Sequence, residues 1–247
     1  MKLELKLVVC LLSIFVLVSP SKAMDPREIL RKADESRGNL EGVEWIVRIN
    51  SVERERKQYR SLDVKARGYD FLAVMTDPPK VRGQRLLMID HNMWYMKPGL
   101  RKPVPVSPRQ RLVGGASYGD IAATNYADDY SIISVTDAQF NGQPCYLFDL
   151  RAADRKATYD HIKYWISKAR IVGIKAEYYT VSDKLLKTAT FEYAHKVRVD
   201  DEVRPFISRM VIKDALLPEN ITTMVFSDPE LKSIPNSVFD LNFLIMR

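Results

Sequence analysis

The stretch "VEWIVRINSVERERKQYRSLDVKAR", residues 43–67, alternates apolar and polar side chains twice, with a charged segment between the two halves. Trp45, Val47 and Ile49 alternate with neighbours that are polar except for Ile46 in the first half, and Val64 lies between Asp63 and a lysine in the second. A period of two residues is typical of a β-strand, whose successive side chains point to opposite faces of the sheet. The stretch therefore predicts two antiparallel strands with one apolar face.

The same alternation continues along the chain between short turns, such as "DHN" at 90–92 and "NG" at 141–142. Hairpin-length turns between period-2 segments predict a long antiparallel meander from residue 43 to residue 226. A single sheet of about ten strands with one apolar face either closes into a barrel or curls around something. The predicted fold class is therefore mainly β (α+β), with one strongly curved antiparallel sheet.

Helical patterns occur in three places, before, within and after this meander. Residues 25–37 combine an N-cap Asp25, Pro26 in the first turn and an apolar stripe, and Gly38 ends the pattern. The region after Pro108 and the C-terminal "SVFDLNFLIMR" are predicted as short helices. Composition does not change along the chain and no repeat of 20–50 residues occurs, so residues 24–247 are predicted to form a single domain.

The first 23 residues have the pattern of a secretory signal peptide. Lys2 and Lys6 precede an apolar run of 12 residues, which ends before the small-residue site Ser21-Lys22-Ala23. A membrane-spanning helix needs roughly 20 apolar residues, so this run is too short for an anchor. Cys10 weakly resembles a lipoprotein acylation site, but apolar residues continue beyond it. We expect cleavage after Ala23 and export.

Charge and cysteine content narrow the class of protein further. The chain carries 38 Lys and Arg against 31 Asp and Glu, a net charge of +7, but the two signs are interspersed rather than blocked. Interspersed charge is typical of a solvated surface, so no nucleic-acid partner is predicted, although transient contact with anionic lipid remains open. After cleavage Cys145 is the one remaining cysteine, so no intramolecular disulfide is expected and the fold must rest on its core.

The sequence contains no pattern for covalent chemistry. His91, His161 and His195 lie far apart, without H-x-x-x-H or C-x-x-C spacing, and are expected to be solvated side chains rather than metal ligands. No G-x-S-x-G occurs, and Cys145 follows a proline inside an alternating strand, where a buried inert thiol is expected. The predicted protein is not an enzyme and needs no cofactor or metal.

Large apolar and methionine side chains recur along the predicted strands and leave two interpretations open. They could form an ordinary core, or they could line a cavity for acyl chains, because methionine-rich walls adapt to variable apolar ligands. The candidate ligand-binding residues are Trp45, Val47, Ile49, Leu62, Val64, Met75, Met88, Trp94, Met96, Phe148, Trp165, Tyr178, Phe191, Met210, Met224 and Phe226.

Motif order favours the cavity. The runs "RLLMIDHNMWYMKPGLRKPVPVS", "GGASYGDIAATNYADDY", "YWISKARIVGIKAEYYTVSDKLLKTATF" and "IPNSVFDLNFL" occur in this order, and the chain over about residues 43–247 resembles the LolA-like outer-membrane lipoprotein-sorting proteins. The resemblance implies a periplasmic protein whose curved sheet forms an unclosed barrel, with helices covering its concave apolar face. It also implies a lipid or a lipid-modified protein as partner and no covalent chemistry.

The resemblance assigns a role to residues 107–130. This segment would lie over the concave face as a lid, with Gly114, Gly115 and Gly119 allowing it to bend and Tyr118 and Ile121 as further lid residues. Simple turn geometry would explain the glycines equally well. Whether the segment moves is left open.

The predicted function is a periplasmic carrier that shields an acyl chain, a lipid or the lipid moiety of a lipoprotein and passes it toward the outer membrane. The chain is longer than the archetypal lipoprotein carrier and matches a branch of the superfamily whose members are often associated with inner-membrane exporters. The alternative is a non-carrier interaction or sensor module, such as an exporter accessory or regulator, with the same fold. The cargo, its donor and acceptor, and the oligomeric state are not predicted.

Overall fold

The computed structural model describes residues 24–100, 102–122, 125–199 and 201–242. The predicted signal peptide, residues 1–23, lies outside the described residues, as do the last five residues of the predicted C-terminal helix. Along the described residues, no helix has the length and apolar character that a bilayer span requires.

The described residues form seventeen strands, three short α-helices and two 3₁₀ helices. The strands are β1 (Val43–Glu53), β2 (Arg56–Arg67), β3 (Asp70–Asp77), β4 (Arg85–Ile89), β5 (Asn92–Met96), β6 (Val104–Val106), β7 (Arg111–Val113), β8 (Ala116–Ser117), β9 (Tyr130–Phe140), β10 (Gln143–Ala152), β11 (His161–Ser167), β12 (Gly173–Tyr179), β13 (Leu185–Glu192), β14 (His195–Val199), β15 (Glu202–Phe206), β16 (Arg209–Asp214) and β17 (Ile221–Leu231). The helices are α1 (Pro26–Glu35), α2 (Gly119–Ala122) and α3 (Tyr126–Asp129), with 3₁₀ helices at Pro79–Val81 and Asn236–Phe239.

Thirteen strands build one antiparallel sheet in the order β6-β5-β4-β3-β2-β1-β17-β16-β13-β12-β11-β10-β9. Most neighbours in this order are also neighbours in sequence, as the hairpin-length turns predict. The two exceptions among the described strands are the contact of β1 with β17, the first and last strands, and that of β13 with β16, which β14 and β15 separate in sequence. The sheet is curved and does not close into a barrel, so the predicted fold class is confirmed.

One apolar core fills the inner side of this sheet. It joins Met88 of β4 and Phe148 of β10, which lie near opposite edges of the strand order, to Leu30 of α1. Side chains so far apart in the order can share one core only if the sheet curls toward itself. Register shifts, as between Asp149 and Leu150 in β10, add local bends. We call this inner side the concave face and the other side the convex face.

Helix α1 covers part of the concave face, as the sequence predicts. The Asp25 side chain accepts a hydrogen bond from the backbone N–H of Arg27, which caps the first turn. Its apolar stripe, Ile29, Leu30 and Ala33, is at most 3% exposed within the core. The helix is therefore held mainly by the sheet it covers.

Two small hairpins leave the large sheet. β7 and β8 pair with each other, and so do β14 and β15, which the sequence prediction did not separate from the meander. The second hairpin returns to the concave side, where Phe206 packs edge-on against Trp45 with ring centroids 6.0 Å apart. The region after Pro108 holds the first hairpin and the four-residue helices α2 and α3, in agreement with the short helices predicted there.

Candidate functional site: the concave face and its cover

The side chains predicted to line a cavity lie almost entirely on the concave face. Thirteen of the sixteen belong to the main core, and each of these thirteen side chains is at most 5% exposed. The concave set is Trp45, Val47, Ile49, Leu62, Val64, Met75, Met88, Phe148, Tyr178, Phe191, Met210, Met224 and Phe226. Other parts of the protein cover this face, which is not open to solvent.

The remaining three side chains lie on the convex face. Trp94 and Met96 pack with Phe239 of the C-terminal 3₁₀ helix, and Trp165 packs in a separate small cluster. In β5 the buried side chain that faces the concave core is Met93, 3% exposed, immediately before Trp94. Alternation identifies two faces but not which of two apolar faces turns inward.

The segment 107–130, which we call the cover segment, lies directly on the concave face. The N–H of Gly115 donates a 2.8 Å hydrogen bond to Thr222 Oγ1 in β17. A Cβ on Gly114, where φ is 56°, would stand 1.9 Å from Ser51 Oγ in β1. Only glycine permits both this backbone conformation and this approach. The two glycines therefore let the backbone of the cover segment lie directly against strands β1 and β17, a close approach that a turn alone would not require.

The next turn of the cover segment packs equally closely. A Cβ on Gly119 would meet Thr158 Oγ1 at 2.0 Å. Ile121 belongs to the core and is 5% exposed. Tyr118 is partly exposed and packs against the same core. The other four predicted lid residues, Gly115, Tyr118, Gly119 and Ile121, therefore all lie in the core or at its edge.

A buried ion pair holds the cover segment to the sheet. Lys187 Nζ donates to Asp120 Oδ2 at 2.7 Å and to the carbonyl oxygen of Gly115 at 2.6 Å. The Asp120 carboxylate also accepts from the Tyr159 hydroxyl at 2.6 Å and from the Ser117 N–H at 2.7 Å. The two charged side chains are 9% and 1% exposed. We call this group the latch.

Sequence reasoning missed the latch, although a signal for it exists. In "KLLKTATF" Lys187 shares its parity with Ala189 and Phe191, which are buried on the concave face. A lysine on the apolar side of a strand predicts a buried partner carboxylate, because an unpaired buried charge is very unfavourable.

Partly exposed ion pairs tie the cover segment to its surroundings at both ends. Arg109 Nη1 contacts Asp160 Oδ1 at 2.8 Å, and its Nε donates to the carbonyl oxygen of Ala157. His91 Nε2 lies 2.8 Å from Asp129 Oδ1, which connects the β4–β5 turn to the end of α3. These contacts bridge the open side of the sheet.

A second polar group lies under α1. Asp34 is fully buried, and its Oδ2 accepts a 2.7 Å hydrogen bond from the N–H of Ala127 in α3. Burial raises the pKa of this carboxyl well above its ordinary value, against the lowering effects of that hydrogen bond and of Arg37. The Arg37 guanidinium lies over the rings of Tyr126 and Phe191, 4.9 and 4.7 Å from their centroids. The interior thus combines an apolar face with a few buried charges.

Comparison with known proteins identifies a family model and solved structures that match this chain. A family model described as "Uncharacterized protein" matches residues 68–245. The crystal structure of a LolA superfamily protein from Nitrosomonas europaea is 29% identical, covers 90% of this chain and 100% of its own, and superposes with a TM-score of 0.79. The chain belongs to the LolA-like family. Among curated proteins, no sequence matches it.

Two further structures share the fold of this LolA-like chain. An outer-membrane lipoprotein-sorting protein domain from Vibrio parahaemolyticus is 18% identical, with a TM-score of 0.75, covering 89% of this chain and 97% of its own. A DUF1329 family protein from Desulfovibrio piger is 16% identical, with a TM-score of 0.73, covering 88% and 97%. At these identities the likeness concerns the fold alone.

The LolA-like chain has a pocket of about 170 Å³ at the C-terminal end of α1. Ser36 and Leu40 line it from the helix side, Arg170 from the β11–β12 turn, and Val197 and Pro205 from the β14–β15 hairpin. A wider, more polar cleft of about 920 Å³ lies at the same end of the molecule. These openings lie beside the concave core, next to the second polar group.

The described residues hold no group of three His, Cys, Asp or Glu side chains that could bind a metal ion. His161, expected to be solvated, is 4% exposed. Its Nδ1 lies 2.8 Å from Asp183 Oδ1 and its Nε2 lies 3.1 Å from Asp149 Oδ1, with Tyr179 stacked on the ring. The prediction that this histidine is solvated was wrong, because two carboxylates of neighbouring elements enclose it.

Proposed function

We propose that this protein is a periplasmic carrier that takes up an acyl chain, a lipid or the lipid moiety of a lipoprotein between the concave face and its cover, and passes it toward the outer membrane. Residues 1–23 would act as a cleaved signal peptide, and residues 24–247 would work as one domain. No covalent step is part of the proposal. The fold-mate from Vibrio parahaemolyticus is itself named as a lipoprotein-sorting domain.

One observation carries the proposal. The cover segment rests on a wide apolar face, yet hydrogen bonds and the latch supply much of its attachment. A polar attachment can be exchanged for water when the cover lifts, whereas the exposed apolar face then needs another apolar partner. Each buried methylene contributes about 0.8 kcal/mol, so an acyl chain could replace the cover without specific polar contacts along its length.

A second function is favoured by the close packing of the same face. Since each concave candidate residue is at most 5% exposed, the protein could equally be an interaction or sensor module that never admits a ligand. Such a module would act as an accessory or regulator of an inner-membrane exporter. Lipid retained through purification separates the two functions.

The test combines native mass spectrometry of freshly purified protein with displacement of a fluorescent fatty-acid probe. Val64→Phe adds a ring to the concave face, and Val74→Phe adds the same ring to the convex cluster on the adjacent strand. Each substitution is expected to lower stability by about 1–3 kcal/mol. Only Val64→Phe should weaken probe binding, because it takes volume that the chain needs. Absence of both co-purified lipid and probe binding would refute the carrier and leave the module.

A further inference from the structure

The second polar group contains a buried arginine whose hydrogen-bond donors are only partly satisfied. Arg37 follows the last turn of α1 and is 3% exposed. Within the described part of the chain, neither its Nε nor its Nη1 has a hydrogen-bond partner. A guanidinium has five donors and stays charged in proteins, so leaving two of its nitrogens unbonded in the interior is strongly unfavourable.

Local sequence fixes this position. Gly38 has φ of 117°, a conformation that favours glycine, and turns the chain immediately after Arg37. A Cβ on Gly38 would lie 3.0 Å from the indole of Trp45, so the turn is pressed against β1. Arg37, immediately before this turn, is buried beside it.

The nearest buried carboxylate does not neutralise Arg37 by contact. Asp34 is three residues earlier on the same helix, but no ion pair within 4.0 Å joins the two side chains in the described structure. One carboxylate oxygen of Asp34 is engaged by the Ala127 N–H. The guanidinium is surrounded instead by ring faces of Tyr126 and Phe191. Aromatic faces attract a cation but accept few of its N–H donors.

The surroundings of Arg37 connect the concave face to the outside. Phe191 belongs to the candidate ligand-binding face, and Tyr126 donates to or accepts from the hydroxyl of Tyr178, another member, at 3.2 Å. On the other side, Ser36 lines the 170 Å³ pocket. Arg37 thus lies between an apolar face and a pocket at the protein surface.

The mouth of that pocket carries excess positive charge. The lining holds three cationic residues and two carboxylates, and Arg204 pairs with both carboxylates, with Glu35 at 2.6 Å and with Glu202 at 3.0 Å. Lys32 and Arg170 line the same pocket, and neither forms an ion pair with another described residue. A positively lined opening raises the local concentration of anions.

We infer that Arg37 binds the anionic head group, a carboxylate or a phosphate, of an amphiphilic lipid whose chain lies on the concave face. The inference rests on the proposed carrier function and adds the class of ligand. The head group would accept hydrogen bonds from Nε and Nη1 and would enter through the pocket beside Ser36. Guanidinium forks match both carboxylate and phosphate oxygens.

The test compares a fluorescent polyene fatty acid with its methyl ester, which has the same chain and no charge. Delipidated wild-type protein should bind the acid about tenfold more tightly than the ester, since hydrogen bonds to charged groups are stronger than neutral ones. Arg37→Met should remove this preference and leave ester binding unchanged. Arg48→Met, which alters an exposed arginine of β1 that donates to Ser227 Oγ, should behave as wild type.

The other possible binding results separate failure of the head-group site from failure of the carrier function. Equal binding of acid and ester by the wild type would refute the head-group site and leave the carrier function intact, while binding of neither probe would refute both. Equal loss of acid and ester in Arg37→Met would show that Arg37 only supports packing. If that variant does not fold, Arg37→Lys replaces it, because it keeps the charge with fewer donors and should show a reduced preference.

Competition separates the sources of the anion. Decyl phosphate or decanoic acid should displace the fluorescent acid, and the stronger competitor identifies the head-group chemistry. Inorganic phosphate without a chain should displace little. Displacement by inorganic phosphate as effective as that by decyl phosphate would refute a lipid ligand and assign the site to free anions.

Discussion

Replacing Lys187 by Met tests whether the cover segment opens as a unit. Methionine keeps an apolar side chain where the lysine methylenes lie, but it removes the ammonium group. That group donates to Asp120 at 2.7 Å and to the Gly115 carbonyl at 2.6 Å. Removing one partner of a buried ion pair typically destabilises by about 3–5 kcal/mol. Here the Asp120 carboxylate keeps its hydrogen bonds from Tyr159 and Ser117, which limits the loss to about 3 kcal/mol.

The part of the molecule that this destabilisation affects distinguishes an opening cover from global unfolding. If the cover opens while the sheet stays folded, about 3 kcal/mol raises the open population by roughly 100-fold or more. Native-state hydrogen exchange should then accelerate by that factor at the amides of residues 111–122, while amides of β1 and β17 keep their protection relative to global unfolding. Association of a fatty-acid probe should accelerate as well, because the binding-competent population is larger.

Two further variants complete this experiment. Lys213→Met alters an exposed lysine on the neighbouring strand and should change neither exchange nor probe association. The double variant Lys187→Met/Asp120→Asn removes both charges, so it should be less destabilised than the sum of the single variants, by about 1–3 kcal/mol. If Lys187→Met lowers the free energy of global unfolding but the cover amides still exchange only through global unfolding, the cover is part of the core and not a lid.

Three more outcomes follow from individual residues. Gly114→Ala should destabilise by several kcal/mol more than Gly142→Ala in urea unfolding, because both glycines have positive φ but only the first lacks space for a Cβ; equal losses would contradict the close approach. Cys145 is fully buried, and burial raises the pKa of its thiol, so a thiol reagent should react slowly in the native state and fast in denaturant. Burial also raises the pKa of Asp34 when the protein is folded, so the folded state keeps a proton that the unfolded state releases above about pH 4, and stability falls as pH rises from there. Asp34→Asn should flatten that fall in calorimetry above about pH 4, and an unchanged slope there would contradict the assignment.

The sequence predicts the sheet well because its signal is local. Alternation along β1 and β2 marks which side chains share a face, and short turns between such segments imply antiparallel neighbours. It does not separate β14–β15 from the meander, because that hairpin has largely polar alternation and is buried at only a few points, such as Val197 and Phe206. Whether a hairpin joins the large sheet depends on distant contacts that periodicity does not contain.

The candidate site was predicted less completely, for two physical reasons. Some strands are apolar on both faces, since the convex side has its own small clusters around Phe239 and Cys145, so Trp94 and Trp165 could not be assigned inward or outward. The buried charges were missed because a lysine or arginine is usually exposed. Lys187 and Arg37 become informative only when their strand parity or helix stripe is compared with that of their neighbours.

The placement of these charges suggests how one fold could be both well packed and able to open. An apolar cover held only by apolar contacts would lose roughly 25 cal/mol for each Å² it exposes, with nothing regained from water. A cover held by Lys187 and Asp120 loses its ion pair on opening but regains hydration of both charges, so the net loss is smaller than the contacts alone indicate. The same reasoning applies to Arg37, whose unbonded nitrogens make the closed interior less favourable and an anion-filled one more so. In the proposed carrier, buried polar groups at the cover and at the end of α1, above an otherwise apolar face, would therefore lower the free energy of exchanging the protein cover for a charged, long-chain ligand.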